Sequence, residues 1–280
     1  MKHITIVLMA IMVSLAAKGQ HHEETVKKEI VFPEGKNAVL IVENIFGDIQ
    51  VDGYSGDRVI LEIETEFNAD TQKELEEAMK KVYLAFETRA DTVDVFLDGI
   101  CGCHREKSRN YNWNQCDFHF RHDFKVKVPA RANIKVSTVN DGEVEVQNIS
   151  GEVVARNVNG GITVEGISGP ADIHTINGEV EVRYAKNPSE KSSYYSLNGD
   201  VNVYYDAGLS ADMQFKSFQG DMFTNFDVSE WLAPVIKTSK SKNKSRARYR
   251  IENKTAVRIG KGGVILDFET FNGDVYVRKI

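Results

Sequence analysis

Three cysteines and three histidines crowd into the stretch ICGCHREKSRNYNWNQCDFHFRHDF: Cys101, Cys103 and Cys116 with His104, His119 and His122. Thiolates and imidazoles in this number could hold a tetrahedral zinc ion. The C-x-C-H spacing, however, fits no standard pair of zinc ligands, and in an oxidising compartment cysteines pair with one another. A disulfide of Cys116 with Cys101 or Cys103 is therefore favoured, with zinc as the alternative. Either bridge would close a loop of roughly 15 residues and stabilise the fold by about 3 kcal/mol in the chain-entropy account. One thiol is left over.

Acids offer a second chemistry. Glu143, Glu145, Glu165, Asp172, Glu179 and Glu181 recur among apolar residues, and polysaccharide lyases and glycosidases need paired carboxylates or a cation-bound acid with a basic partner. At outward strand positions the same acids are most simply a solubilising face. Tyr194, Tyr195, Tyr204 and Tyr205 could stack on sugar rings, although aromatic residues suit strands in any case. Lys237 to Arg250 carries seven basic residues and reads as a solvated hairpin or loop in preference to a polyanion site. The sequence contains no adjacent Ser-His-Asp arrangement and no phosphate-cradling glycine loop, so neither a catalytic residue nor a cofactor is expected.

These residues are hung on a repeat. Gly142, Gly151, Gly160, Gly169 and Gly178 stand nine apart and open the units GEVEVQNIS, GEVVARNVN, GGITVEGIS, GPADIHTIN and GEVEVRYAK. Positions three, five and eight are apolar in each unit, and position eight reads Ile149, Val158, Ile167, Ile176 and Ala185. Positions two, four and six are mostly polar, the period-two alternation of a half-buried strand. Position nine alternates Ser and Asn, so two units make an 18-residue coil of two short strands. Asn and Gly tolerate positive φ, which places Asn140, Gly142, Gly151, Asn159, Gly160, Gly169, Asn177 and Gly178 at corners. Asn198, Gly199, Gly220, Asn272 and Gly273 continue the corners at looser intervals, 21 residues separating Gly178, Gly199 and Gly220. Stacked coils would bury all three apolar columns. The fold predicted is all-β, a single-stranded parallel β-helix of about 18 to 21 residues per coil. A calcium β-roll is excluded, because position six holds Gln147, Arg156, Glu165, His174 and Arg183 where that fold needs Asp.

Lys2 and His3 precede an apolar run from Ile4 to Ala17 with small residues after it, the pattern of a secretory signal over 1–19. That run is too short to span a bilayer. Its removal takes two lysines and no acids, moving the formal charge from −6 to −8, which argues against nucleic acid or anionic lipid as partner. Residues 20–131 read as an N-terminal β layer bearing the cysteine insertion, continuous with the coils of 132–280. Gly47, Ile49, Val51 and Tyr54 already fit the nonapeptide. Thr71 and Glu74 have capping-box spacing, and Leu75, Met79 and Val82 share a face, so one short helix is predicted here as a cap.

FKVKVP, STVNDGEVEV, RNVNGGITVEG, HTINGEVEV, YSLNGDVNV and RIGKGGVILDFETFNGDVYVRK together resemble the putative-adhesin, β-strand-repeat family of bacterial envelope proteins, notably from Bacteroidetes. The resemblance covers nearly all of 20–280. It implies an exported, non-enzymatic envelope protein that presents a surface to a protein or glycan, without known ligand or catalytic residues. The periplasm is the expected location, with the cell surface or medium as alternatives. A carbohydrate-active β-helix enzyme and a peptidoglycan- or polysaccharide-binding module are the competing functions.

Overall fold

The computed structural model describes residues 19–99, 118–243 and 246–280, with side chains throughout except in 235–253. Most of the proposed signal and all three cysteines lie outside the described residues.

The short strands of the nonapeptides form parallel ladders. In one sheet β9 (Val144–Gln147), β11 (Ile162–Ile167) and β13 (Val180–Tyr184) pair in order, with Val144, Ile162 and Val180 in register. In the other, β8 (Asn133–Ser137), β10 (Val153–Arg156) and β12 (Ala171–Asn177) do the same. Successive units alternate between the sheets, so each sheet repeats at 18 residues. Val144, Val146, Val164, Val182, Val153, Ala155 and Ile173 are all fully buried between the sheets. Each larger side chain contributes about 1.5 to 3 kcal/mol of apolar burial.

The single-stranded parallel β-helix is overturned by what flanks these ladders. The fold consists of two large mixed sheets, of ten and eleven strands. At the start β1 (Gln20–Val31), β4 (Arg58–Ala69) and β7 (Phe118–Pro129) pair antiparallel, as do β5 (Tyr83–Arg89) and β6 (Thr92–Asp98). Near the other end β18 (Val228–Asn243) and β19 (Arg246–Ile259) form an antiparallel hairpin, and β19 runs antiparallel to β16 (Ala211–Gln219). The physical reason is connection length. Ala90 and Asp91 alone link β5 to β6, and a two-residue turn can join only antiparallel neighbours. The described residues of the basic run, 237–243 and 246–250, belong to β18 and β19, Lys237 standing opposite Glu252 and Asn243 opposite Arg246.

Strand order also departs from chain order. β2 (Val39–Glu43) lies between β6 and β8, and β3 (Ile49–Tyr54) between β7 and β9. The units at Gly199 and Gly220 are not neighbours as their 21-residue interval suggested. β20 (Val264–Asn272) inserts between β14 (Ser192–Asn198) and β16, while β21 (Val275–Lys279) inserts between β15 (Val201–Tyr205) and β17 (Met222–Thr224). The last two strands of the chain thus lie between layers contributed by earlier segments.

One helix, α1 (Gln72–Lys81), stands among the described residues. Thr71 caps it, its hydroxyl accepting from the Glu74 amide while the Glu74 carboxylate accepts from the Thr71 amide. Leu75 and Ala78 are buried against Phe67, Leu97 and Phe120.

Candidate contact surface

The corner that joins the eleven-stranded sheet to the ten-stranded one is built from a four-residue unit repeated along the molecule. Its first residue points inward. Thr138, Asn157, Thr175, Ser196 and Thr270 each donate a side-chain hydrogen bond to a glycine carbonyl, of Gly47, Gly142, Gly160, Gly178 and Gly199 respectively, at 2.8 to 3.1 Å. Ser217 reaches Gly273 at 3.4 Å. The third residue is Asn in five of the units, Phe46 and Gln219 standing in the outer two, and Asn159, Asn177, Asn198 and Asn272 each donate to the amide oxygen of the previous one, starting from Asn140, at 2.7 to 2.8 Å. Glycine follows, after the inserted Asp141 in the case of Asn140. A Cβ on Gly178 would overlap the carbonyl of Gly160, on Gly199 that of Gly178, on Gly273 that of Gly199 and on Gly220 that of Gly273. Gly142 stacks likewise on Gly47, while Gly151 and Gly169 make a second column starting from Ala132.

The second residue of the unit is always apolar: Ile45, which packs on the cluster beneath α1, then half-buried Val139, Val158 and Leu197 and exposed Ile176, Phe271 and Phe218. This corrects the expectation that position eight of every nonapeptide is core. Ile149 and Ile167 are buried, but Ile176 is 38% exposed and Ala185 is exposed too. Strand phase is the reason. Asn148 (φ 60°) and Gly166 (φ 67°) place one left-handed residue before Ile149 and Ile167, turning them inward. β12 keeps strict alternation, so Thr175 points in and Ile176 out. The outcome is an apolar line along the rim, ending in stacked Phe271 and Phe218 with ring centroids 4.6 Å apart and Phe218 71% exposed.

The outer face beside that line is ion-paired. Arg156, His174, Tyr195, Glu269 and Lys216 stand in one register row. Asp172 binds Arg156 and accepts from Ser193. Glu269 lies 2.6 Å from Lys216 and 3.2 Å from Lys254, which also contacts Asp267 at 2.6 Å. Burial raises the Glu269 pKa, but hydrogen bonds from both lysines more than offset this and leave it below the ordinary value. Burial, with Arg156 nearby, lowers that of His174, which contacts the Tyr195 ring edge-on at 4.1 Å. Among the described residues no group of three His, Cys, Asp or Glu side chains is placed to share a metal ion.

No protein-family model matches the chain, and no curated protein matches it. Among solved structures it is similar to a putative cell adhesion protein from Clostridium sporogenes, at 11% identity and TM-score 0.36 over 94% of this chain and 100% of that one. A putative adhesin from Bacteroides fragilis gives 10% and 0.37 over 92% and 97%. A putative lipid binding protein from Parabacteroides distasonis gives 10% and 0.28 over 91% and 96%. Likeness of this degree assigns neither a family nor a function.

The tyrosines divide by face. Tyr194 and Tyr205 are buried, their hydroxyls meeting each other at 2.9 Å and that of Tyr184 meeting Tyr194 at 2.7 Å. They cannot stack on a ligand. Tyr204 lies on the outer face of the ten-stranded sheet, its ring 3.8 Å from the Arg183 guanidinium and 5.5 Å from that of Arg278. On that sheet Glu181 and Glu165 contact Arg183 at 2.8 and 3.6 Å. The apolar rim is what the repeat conceals, because the apolar column at position eight, Val158 and Ile176 included, reads as core.

Among the described residues no helix is long and apolar enough to cross a membrane.

Proposed function

We propose that this is an exported, non-enzymatic envelope protein that binds a macromolecular partner through its apolar rim and the terminal layer into which the rim runs. One observation carries the reading. Among the described residues, eight of the eleven exposed large apolar side chains belong to residues 218–280, among them Phe218, Phe223, Trp231 and Phe271. Contiguous exposed apolar surface has a solvation cost that association removes. The carboxylates of the neighbouring face are held by cations or hydroxyl groups, an arrangement suited to a stable surface. Export rests on residues 2–19, and the periplasm is the compartment proposed.

The test is photo-crosslinking in intact cells, with the reactive side chain placed at residue 218 or, as control, at exposed residue 145. Position 218 should give a discrete adduct in the periplasmic fraction, suppressed by Phe271→Ser. Equal adducts at both positions would refute the contact surface. Depolymerisation of a polysaccharide by the pure protein, abolished by Asp172→Asn, would replace it with an enzyme.

A further inference from the structure

We propose that the free edge of β17 is a strand-addition site for an extended segment of a partner polypeptide. The inference rests on the contact role just assigned to the terminal layer and specifies its mode. β17 ends the ten-stranded sheet, and its one described neighbour is β21. The Val275 amide donates to the Asp221 carbonyl at 3.0 Å. Backbone alternation then turns the N–H and C=O groups of Met222 and Thr224 away from β21, toward the edge.

The sheet's two edges differ in kind. β1, at the far edge, carries Glu23, Glu24, Lys27, Lys28 and Glu29, charges of the sort that discourage added strands. β17 is Met-Phe-Thr, exposed at every residue, with no charge or proline. Beyond it the eleven-stranded sheet runs on through β19 and β18, and no described strand of the ten-stranded sheet lies opposite them. Val228 (37% exposed) and Trp231 (74%) lie on that overhang.

An added strand would continue the ladder from Met222 and cover the overhang with alternate apolar side chains, and only a polypeptide backbone can supply both. A second copy pairing symmetrically through its own β17 does not fit. Each overhang extends two strands, roughly 10 Å, and the two would occupy the same space.

Linear dodecapeptides displayed on phage, selected on the immobilised full-length protein and then synthesised, provide the probe. Recovered peptides should alternate apolar and polar residues. Met222→Pro removes the outward amide and should weaken binding about tenfold or more, the equivalent of one hydrogen bond or so. On the wild-type protein, N-methylation should abolish binding at every second peptide residue and be tolerated between. Peptides that bind Met222→Pro unchanged, or that tolerate methylation at every position, overturn strand addition. So does failure to enrich any peptide, or self-association through β17 in sedimentation. The broader contact role fails separately, if Phe271→Ser leaves crosslinking from residue 218 in cells unchanged.

Discussion

Lys254 and Asp267 form an ion pair on the outer face of the eleven-stranded sheet, Nζ to Oδ1 2.6 Å, with the lysine side chain only 5% exposed. Burial lowers the lysine's pKa, yet its bonds to Asp267 and Glu269 outweigh this and raise it above the ordinary value. Removing Asp267 leaves the buried lysine with only the more distant Glu269, so Asp267→Ala should cost about 2 kcal/mol in urea unfolding. Lys254→Met with Asp267→Leu should cost far less than the sum of the single changes. Additive losses would show that the pair does not act as a unit.

Buried His122 should make the protein acid-sensitive. Its Nδ1 lies 2.9 Å from the Thr65 hydroxyl, while the buried Nε2 atom has no hydrogen-bond partner among the described residues. Burial lowers its pKa from 6.5 to about 4, with Asp123 opposing. The folded state therefore holds the proton less tightly than the unfolded chain. Stability from this residue should be intact above pH 6.5, fall as pH drops and level off below about 4, a loss of about 3 kcal/mol. Chemical denaturation of wild type and His122→Gln at pH 7 and 4.5 measures it. Equal slopes in the two proteins would contradict the assignment.

The interior tyrosines predict a silent titration. Burial raises the Tyr184 pKa to about 12 and those of Tyr194 and Tyr205 well above 10. Of the ten tyrosines, these three should stay protonated in ultraviolet titration up to about pH 11 and appear only on unfolding. Tyr184→Phe should remove one slow phenol and cost about 1 kcal/mol for its lost hydrogen bonds to Ser192 and Tyr194.

The stacked glycines set how closely layers approach. Gly178→Ala drives a methyl into the Gly160 carbonyl and should destabilise by about 3 kcal/mol. Glu145→Ala, at an exposed strand position, should change stability by less than about 0.5 kcal/mol. Similar melting of both variants would mean the layers are free to separate.

The sequence by itself determined the local rules: strand alternation, the 18-residue spacing that pairs Val144 with Ile162 and Val180, and the Thr71 cap on α1. Each follows from residues near one another in the chain, where propensity, turn chemistry and side-chain period act directly. Tertiary structure decided the rest. Val201 pairs with Val275, and Val275 in turn with Met222, so the final strand lies between two strands that precede it in the chain. No local pattern records a pairing across 74 residues, since Val201 would suit any parallel neighbour of the same period. Whether Ile176 faced core or solvent hung on the absence of a left-handed residue like Gly166 just before it, and Tyr204 and Tyr205 went to opposite faces by strand phase alone. The exposed apolar rim was illegible for the same reason: an apolar residue reads as core until the fold shows it exposed, as at Ile176, Phe218 and Phe271.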